Sequence, residues 1–135
     1  MRVYLDSSAL LKRVVAEQET TALQRTVGAH RSDGDSLLAS SLAWIEVSRA
    51  IRKALPAAPA ARLTDAALSG VLERPMTADV VALARRLDPP LLRSLDAIHL
   101  ASSMLLDADV MVTYDDRLAT ACETHGIATA APSDS

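Results

Sequence analysis

Acidic residues stand at recurring places in this chain. Asp6 directly follows the apolar run Val3 to Leu5, Glu46 and Asp96 lie near the starts of helical patterns, and Asp115 and Asp116 follow the run Asp109 to Thr113. A carboxylate where a strand ends sits at the rim of a sheet, which is where open α/β folds form their ligand crevice. Carboxylates brought to one rim repel each other. Two like charges about 4 Å apart cost roughly 4 kcal/mol at an effective dielectric of about 20, so they take up protons, splay apart or share a cation. An all-oxygen donor set suits Mg2+, with Mn2+ as a substitute, and leaves room for a substrate phosphate in the coordination shell. Such an ion lowers the pKa of bound water and offsets charge on a phosphoryl transition state, so the chemistry implied is phosphodiester hydrolysis.

Taken singly, each acid also has an ordinary role. Asp6, Asp96 and either of Asp115 and Asp116 suit helix caps or first turns, and Glu46 can pair with Arg49 on a solvated face. Pooled, they gain weight because other chemistries lack their parts. A Ser or Cys nucleophile needs a histidine base, but His30 falls in a polar stretch, His125 ends a helix, and Cys122 reads as a small core residue. His99 is the one histidine near the expected cluster, with packing or hydrogen bonding beside Asp96 preferred to metal ligation. With 4 glycines, no phosphate-cradling loop or dinucleotide fingerprint can be built.

The elements that must position these acids follow from periodicity. Val3 to Leu5 reads as a strand, and Ser7 or Ser8 caps a helix continuing through Val14. A second helix from Glu17 to Val27 breaks at Gly28, leaving His30 to Asp35 as a surface loop. Leu37 to Ala39 makes a short buried strand, and Ser40 or Ser41 caps a helix from Leu42 to about Leu55, with Ala43, Val47, Ala50, Ile51 and Ala54 on its apolar stripe. Leu42 and Ile45 fall on its far side. Further on come a helix from Pro59 to Ser69, a minimal strand within Arg74 to Thr77, and a helix from Ala78 to Leu87 stopped by Asp88-Pro89-Pro90. Ser94 caps the next helix, with Ile98, Ala101 and Leu105 as its apolar stripe and Asp96, His99 and Ser103 opposite. Asp109 to Thr113 is the strongest strand pattern; a helix to Glu123 and an edge strand at Ile127 to Thr129 complete the chain. Strands separated by helices, with no hairpin signal, predict an α/β fold with a parallel sheet covered on both faces. The strand ends after Leu5 and Thr113 then share one rim, and helices entered from it carry Glu46 and Asp96 there.

Composition sets the outer bounds. The 135 residues, 50% of them hydrophobic, suit one domain, expected over residues 1–132 with a flexible tail at 133–135. A net charge of -3 argues against gripping a polyanion by bulk charge, so any nucleic-acid contact would rest on local arginines, with Arg85, Arg86 and Arg93 as candidates. With only Tyr4, Trp44 and Tyr114 as aromatics, a base-stacking platform is not expected. A single cysteine, no basic-then-apolar leader and no apolar run of roughly 20 residues lead to the expectation of a cytoplasmic protein without membrane contact.

Four segments carry a family resemblance over nearly the whole chain: VYLDSSALLK, SLAWIEVSRAI, RSLDAIHLASSM and VTYDDRLATA, in that order. Together they resemble the PIN-domain ribonucleases, and most closely the VapC-type toxins of bacterial toxin–antitoxin pairs. The resemblance implies a PIN-like three-layer α/β/α sandwich with a central, mainly parallel sheet. It matches Asp6, Glu46, Asp96 and Asp115 to the family's acidic quartet, with Asp6 and Asp96 as direct Mg2+ ligands, and Ser7 and Thr113 as supporting hydroxyl residues. Asp116 remains an alternative fourth acid or the holder of an outer water. Further implications are a metal-dependent endoribonuclease acting on RNA such as transfer or ribosomal RNA, a homodimer, and a cognate antitoxin that covers the site.

Two other functions compete with that reading. One is a catalytically silent PIN-like binding module docking through Leu42, Trp44 and Ile45. The other is a phosphoacceptor signalling domain, which wants an early acidic pair and a late lysine, whereas both lysines here are early, at Lys12 and Lys53.

Overall fold

The computed structural model describes residues 1–134; Ser135, the last residue of the expected tail, lies outside the described residues. Among them a five-stranded, wholly parallel sheet is formed by β1 (Arg2–Leu5), β2 (Ser36–Ser40), β3 (Val71–Arg74), β4 (Val110–Val112) and β5 (Ala128–Ala130), in the order β3-β2-β1-β4-β5. The helices between them are α1 (Ser7–Leu11), α2 (Thr20–Ser32), α3 (Leu42–Ala54), α4 (Ala60–Ala67), α5 (Ala78–Ala84), α6 (Ser94–Leu105) and α7 (Asp116–Thr124). None is long and apolar enough to cross a membrane.

Alternation along the strands divides the core in two. Val3, Leu5, Leu37, Ala39 and Val112 point to one face, where α1 to α4 contribute Leu10, Leu23, Val47 and Ala67. Tyr4, Leu38 and Met111 point to the other, against Leu100 of α6 and Leu118, Ala121 and Cys122 of α7. Register makes this consistent, since Tyr4 lies beside Leu38 on one side and Met111 on the other. The result is the expected α/β/α sandwich. Its strand order also contains a switch point. The chain winds from β1 outward through β2 to β3, then returns to place β4 on the opposite side of β1. The crevice of such a sheet opens where the winding reverses, here between the ends of β1 and β4.

Several expected boundaries are corrected. Helix α2 runs through Gly28 to Ser32 and includes His30, because burying Leu23 and Val27 outweighs the roughly 1 kcal/mol helix cost of a glycine. It ends at Ser32 with Asp33 as its C-cap, and Gly34 beyond it takes a φ of 79°, a left-handed turn that glycine adopts without a Cβ clash. Helix α1 stops at Leu11 rather than Val14 and unwinds into turns closed by Arg13, Val14 and Val15 amides on the carbonyls of Leu10 and Leu11. The third strand is Val71–Arg74, not Arg74 to Thr77; as an edge strand with Leu72 exposed, it lacks the alternating pattern of a half-buried one. Helix α5 ends at Ala84, short of Leu87.

Helix α6 carries the largest departure. Arg93, not Ser94, is its N-cap. Its buried residues are Ala97, His99, Leu100, Ala101, Ser102 and Ser103, whereas Leu105 is exposed and Ile98 half-buried. The helix has neighbours on several sides, α3, α5, α7 and the sheet, so its polar side is covered as well. Ala54 of α3 is likewise exposed instead of on the core stripe. At the C-terminus, the Tyr114 hydroxyl donates to the Pro132 carbonyl at 2.8 Å and Arg25 pairs with Asp134 at 3.1 Å.

Leu100 joins α6 to the second core. Leu100→Ala is expected to cost about 2–5 kcal/mol in urea unfolding, the range for emptying a close-packed leucine site. A loss below about 1 kcal/mol would contradict the two-core description.

Candidate active site

At the switch point, four elements bring carboxylates to one cavity of about 370 Å³, lined by Asp6, Glu46, Asp96 and Asp115 together with His99 and Arg93. Asp6 follows β1, Glu46 lies one turn into α3, Asp96 is in the first turn of α6, and Asp115 caps α7. Asp116 lines an adjoining groove instead, so the structure separates the two adjacent acids that the sequence left as alternatives.

Asp6 is 4% exposed, and its carboxylate is fixed from several sides. Oδ1 accepts from the Ala9 amide at 3.0 Å and the Ser8 hydroxyl at 2.7 Å; Oδ2 accepts from the Thr113 hydroxyl at 2.6 Å. Asp6 rather than Ser7 or Ser8 is therefore the cap of α1, and the capping and cavity-lining roles coexist in one side chain. Thr113 Oγ1 also accepts from the Asp115 amide at 3.0 Å, which links the two acids through one hydroxyl. Asp115 Oδ1 accepts from the amides of Arg117 and Leu118, as a cap should.

Glu46 is not a solvated residue paired with Arg49. Its Oε1 accepts from the Ser7 hydroxyl at 2.5 Å and lies 2.7 Å from His99 Nε2. His99, placed beside Asp96 by helix periodicity, is instead the centre of a buried chain. The Ser40 amide donates to Tyr4 Oη at 3.1 Å, and Tyr4 Oη lies 2.8 Å from His99 Nδ1. With Oη accepting from Ser40, its own hydrogen goes to Nδ1, which leaves the Nε2 hydrogen for Glu46. This Tyr4–His99 chain was missed because Tyr4 reads as a strand core residue. The signal was an aromatic hydroxyl in a fully buried strand, which needs a partner.

Burial and neighbours push the acids apart in basicity. Burial dominates at Asp6 and holds its carboxyl above the usual range against the Thr113, Ser8 and Ala9 donors. Burial also raises Asp96, with the Asp115 charge adding to it and Arg93 opposing. At Glu46 burial is outweighed by hydrogen bonds from His99 and Ser7, so the group sits below its ordinary value.

The donor types fit a hard divalent cation. Asp96, which lines the cavity, has a buried Oδ2 whose closest cationic contact is Arg93 Nε at 3.4 Å, so this oxygen is weakly satisfied by the protein's own donors. Among the described residues, however, no three acidic, histidine or cysteine side chains already stand at the spacing of a closed metal cage. Of the three candidate RNA-contacting arginines, Arg93 reaches this cavity, while Arg85 and Arg86 line a separate one with Leu87 and Pro90. Of the proposed docking residues, Ile45 is 60% exposed, but Trp44 packs against the first core and Leu42 is half-buried.

A raised Asp6 means the folded chain keeps a proton there that the unfolded chain has released. Stability then falls as pH climbs from the ordinary carboxylate value of about 4 through the raised one. Asp6→Asn keeps a cap acceptor and removes this slope. Thermal melts without divalent cation are expected to match the parent at about pH 4 and to exceed it at about pH 7. A variant less stable than the parent at the higher pH would contradict the burial argument.

Comparison with known proteins places this arrangement. A family model described as PIN domain matches residues 3–123. The chain is 36% identical over 132 residues to Ribonuclease VapC47 of Mycobacterium tuberculosis (strain CDC 1551 / Oshkosh), covering 96% of each. It is 41% identical over 136 residues to Ribonuclease VapC46 of Mycobacterium tuberculosis (strain ATCC 25618 / H37Rv), covering 97% of this chain and 98% of that one. Among solved structures, Mycobacterium tuberculosis VapC20, a sarcin–ricin loop cleaving toxin, superposes with a TM-score of 0.73 at 15% identity, over 88% of this chain and 94% of that one. VapBC2 from Rickettsia felis, bound to a DNA fragment from its promoter, superposes with a TM-score of 0.76 at 11% identity, over 96% and 98%. The structural likenesses speak for the fold; the family match and the near full-length relatives establish that this chain belongs to the PIN-domain family, among its VapC-type members.

Proposed function

We propose that this protein is a Mg2+-dependent endoribonuclease that hydrolyses RNA phosphodiester bonds, the toxin of a toxin–antitoxin pair. The observation that carries the reading is the convergence of Asp6, Glu46, Asp96 and Asp115, from four separate elements, on one cavity at the sheet's switch point. The two mycobacterial relatives, both named ribonucleases, support the RNA-hydrolysing part. Their family supports a cognate antitoxin as partner, a homodimer, and transfer or ribosomal RNA as substrate. A cytoplasmic location agrees with the single cysteine.

In this reading Asp6 and Asp96 hold the Mg2+ ion, with Mn2+ as a substitute. When bound, the ion supplies an activated water and positive charge for the phosphoryl transition state. Asp6 is suited to its part because Thr113, Ser8 and the Ala9 amide fix its orientation before any ligand arrives. Glu46, held ionised by His99 and Ser7, orients the attacking water rather than storing its proton. Asp115, linked to Asp6 through Thr113, lines the same cavity and caps α7.

Purified protein stripped with EDTA should leave RNA intact and regain cleavage with Mg2+. Asp96→Asn should lower cleavage by more than about a hundredfold, beyond the cost of losing an outer-sphere partner, while its thermal melt stays cooperative. Full cleavage by folded Asp96→Asn would reject the proposal. Tyr4→Phe, which frees His99 Nδ1 without touching the cavity, should lower kcat by about tenfold and leave KM near the parent's.

A further inference from the structure

Arg93 stands where two of the acids face each other. Its Nε lies 3.4 Å from Asp96 Oδ2 and its Nη2 lies 3.2 Å from Asp115 Oδ2, so one guanidinium spans carboxylates from α6 and α7. The contact to Asp96 is an ion pair without a hydrogen bond, since Oδ2 has no hydrogen-bonded partner. The backbone of Arg93 is anchored as the N-cap of α6, with its carbonyl accepting from Ala97 at 2.9 Å, but its side chain is 61% exposed. An anchored backbone, a long exposed side chain, one hydrogen bond to Asp115 at 3.2 Å and one longer ion pair describe a group that can leave without disturbing the helix. It also has somewhere to go. Arg93 forms the wall between the acid cavity and the adjoining groove of about 650 Å³, which carries Arg117 and the almost fully exposed Leu91.

We propose that Arg93 is an exchangeable counter-ion: it neutralises Asp96 and Asp115 until a divalent cation takes the oxygens of Asp96, and then turns into the adjoining groove to hold a backbone phosphate of the RNA. The proposal rests on the metal-dependent ribonuclease reading of the same cavity and adds a residue that moves between two anions. A compact divalent ion draws the Asp96 carboxylate more strongly than a delocalised single charge at 3.4 Å. Once it is seated, the guanidinium is repelled. The groove is lined by Asp88 and Asp116 as well as by Arg93 and Arg117, so the phosphate falls to the planar forks of the two arginines, which is the chemistry that recognises it.

The two halves of this exchange respond to Arg93→Gln with opposite signs. A unit charge about 5 Å from a divalent ion in a mostly aqueous dielectric weakens its binding by roughly tenfold. Calorimetric titration with Mn2+ alone, in the absence of RNA, is therefore expected to show roughly tenfold tighter binding by Arg93→Gln, with Arg93→Lys between it and the parent. With saturating Mg2+, the same Arg93→Gln protein is expected to show a KM for RNA raised by about tenfold and kcat nearly unchanged. A merely structural role would weaken both. Mn2+ affinity equal to or below the parent's, or an unchanged KM, overturns the proposal. If Asp96→Asn abolishes Mn2+ binding and RNA cleavage while Arg93→Gln leaves Mn2+ affinity unaltered, the exchange fails and the ribonuclease reading stands. If neither the parent nor Arg93→Gln binds Mn2+, both fail.

Discussion

The structure turns on a buried carboxylate. Asp6 sits at the end of β1, 4% exposed, with donors on both oxygens. An unpaired charge in such a place is costly, and burial does raise its pKa. The surroundings are arranged around that cost. Thr113 reaches it from the end of β4, Ser8 and the Ala9 amide from the first turn of α1, so one side chain ties two strands and a helix together. Because β1 and β4 are neighbours through the sheet's reversal, this tie lies at the switch point.

The remaining acids extend the same logic outward. Asp115 is joined to Asp6 through the Thr113 hydroxyl and satisfies the first amides of α7. Glu46 is held by Ser7 and by a chain of hydrogen bonds that begins at the Ser40 amide at the end of β2 and passes through Tyr4 and His99. Its carboxylate is thus pre-oriented by groups from β1, β2, α1 and α6. Asp96 alone lacks a hydrogen bond on its buried oxygen, and it is the acid that an arginine and a second carboxylate pull in opposite directions. The cavity therefore has a side held by several hydrogen bonds, around Asp6, Glu46 and Asp115, and a less firmly held one, at Asp96 and Arg93.

Much of this was legible in the residues. Strand runs such as Val3 to Leu5, helix stops at proline, and acids at each strand-to-helix step announced an α/β sandwich with a carboxylate rim. Errors arose where local pattern and packing disagree. Gly28 looked like a break, but a helix with Leu23 and Val27 in the core tolerates one glycine on its open side. A single apolar stripe on α6 suits one neighbour, yet the helix is covered on several sides, so His99, Ser102 and Ser103 are buried along with Leu100. Edge strand β3 left little trace because one exposed face needs no alternation.

What the sequence determined by itself was the set of groups and the kind of element carrying each, because capping, periodicity and turn chemistry act over a few residues. It also bounded the chemistry, since a chain with one cysteine, few glycines and recurring acids can build an oxygen-rich site and little else. Only the tertiary structure decided which groups meet. That Asp115 rather than Asp116 enters the cavity, that His99 serves Glu46 rather than Asp96, and that Arg93 spans two acids all depend on strand order and helix rotation. Those are set by how two cores pack against one sheet, a balance of contacts between residues as far apart in the chain as Asp6 and Thr113, which no local pattern contains.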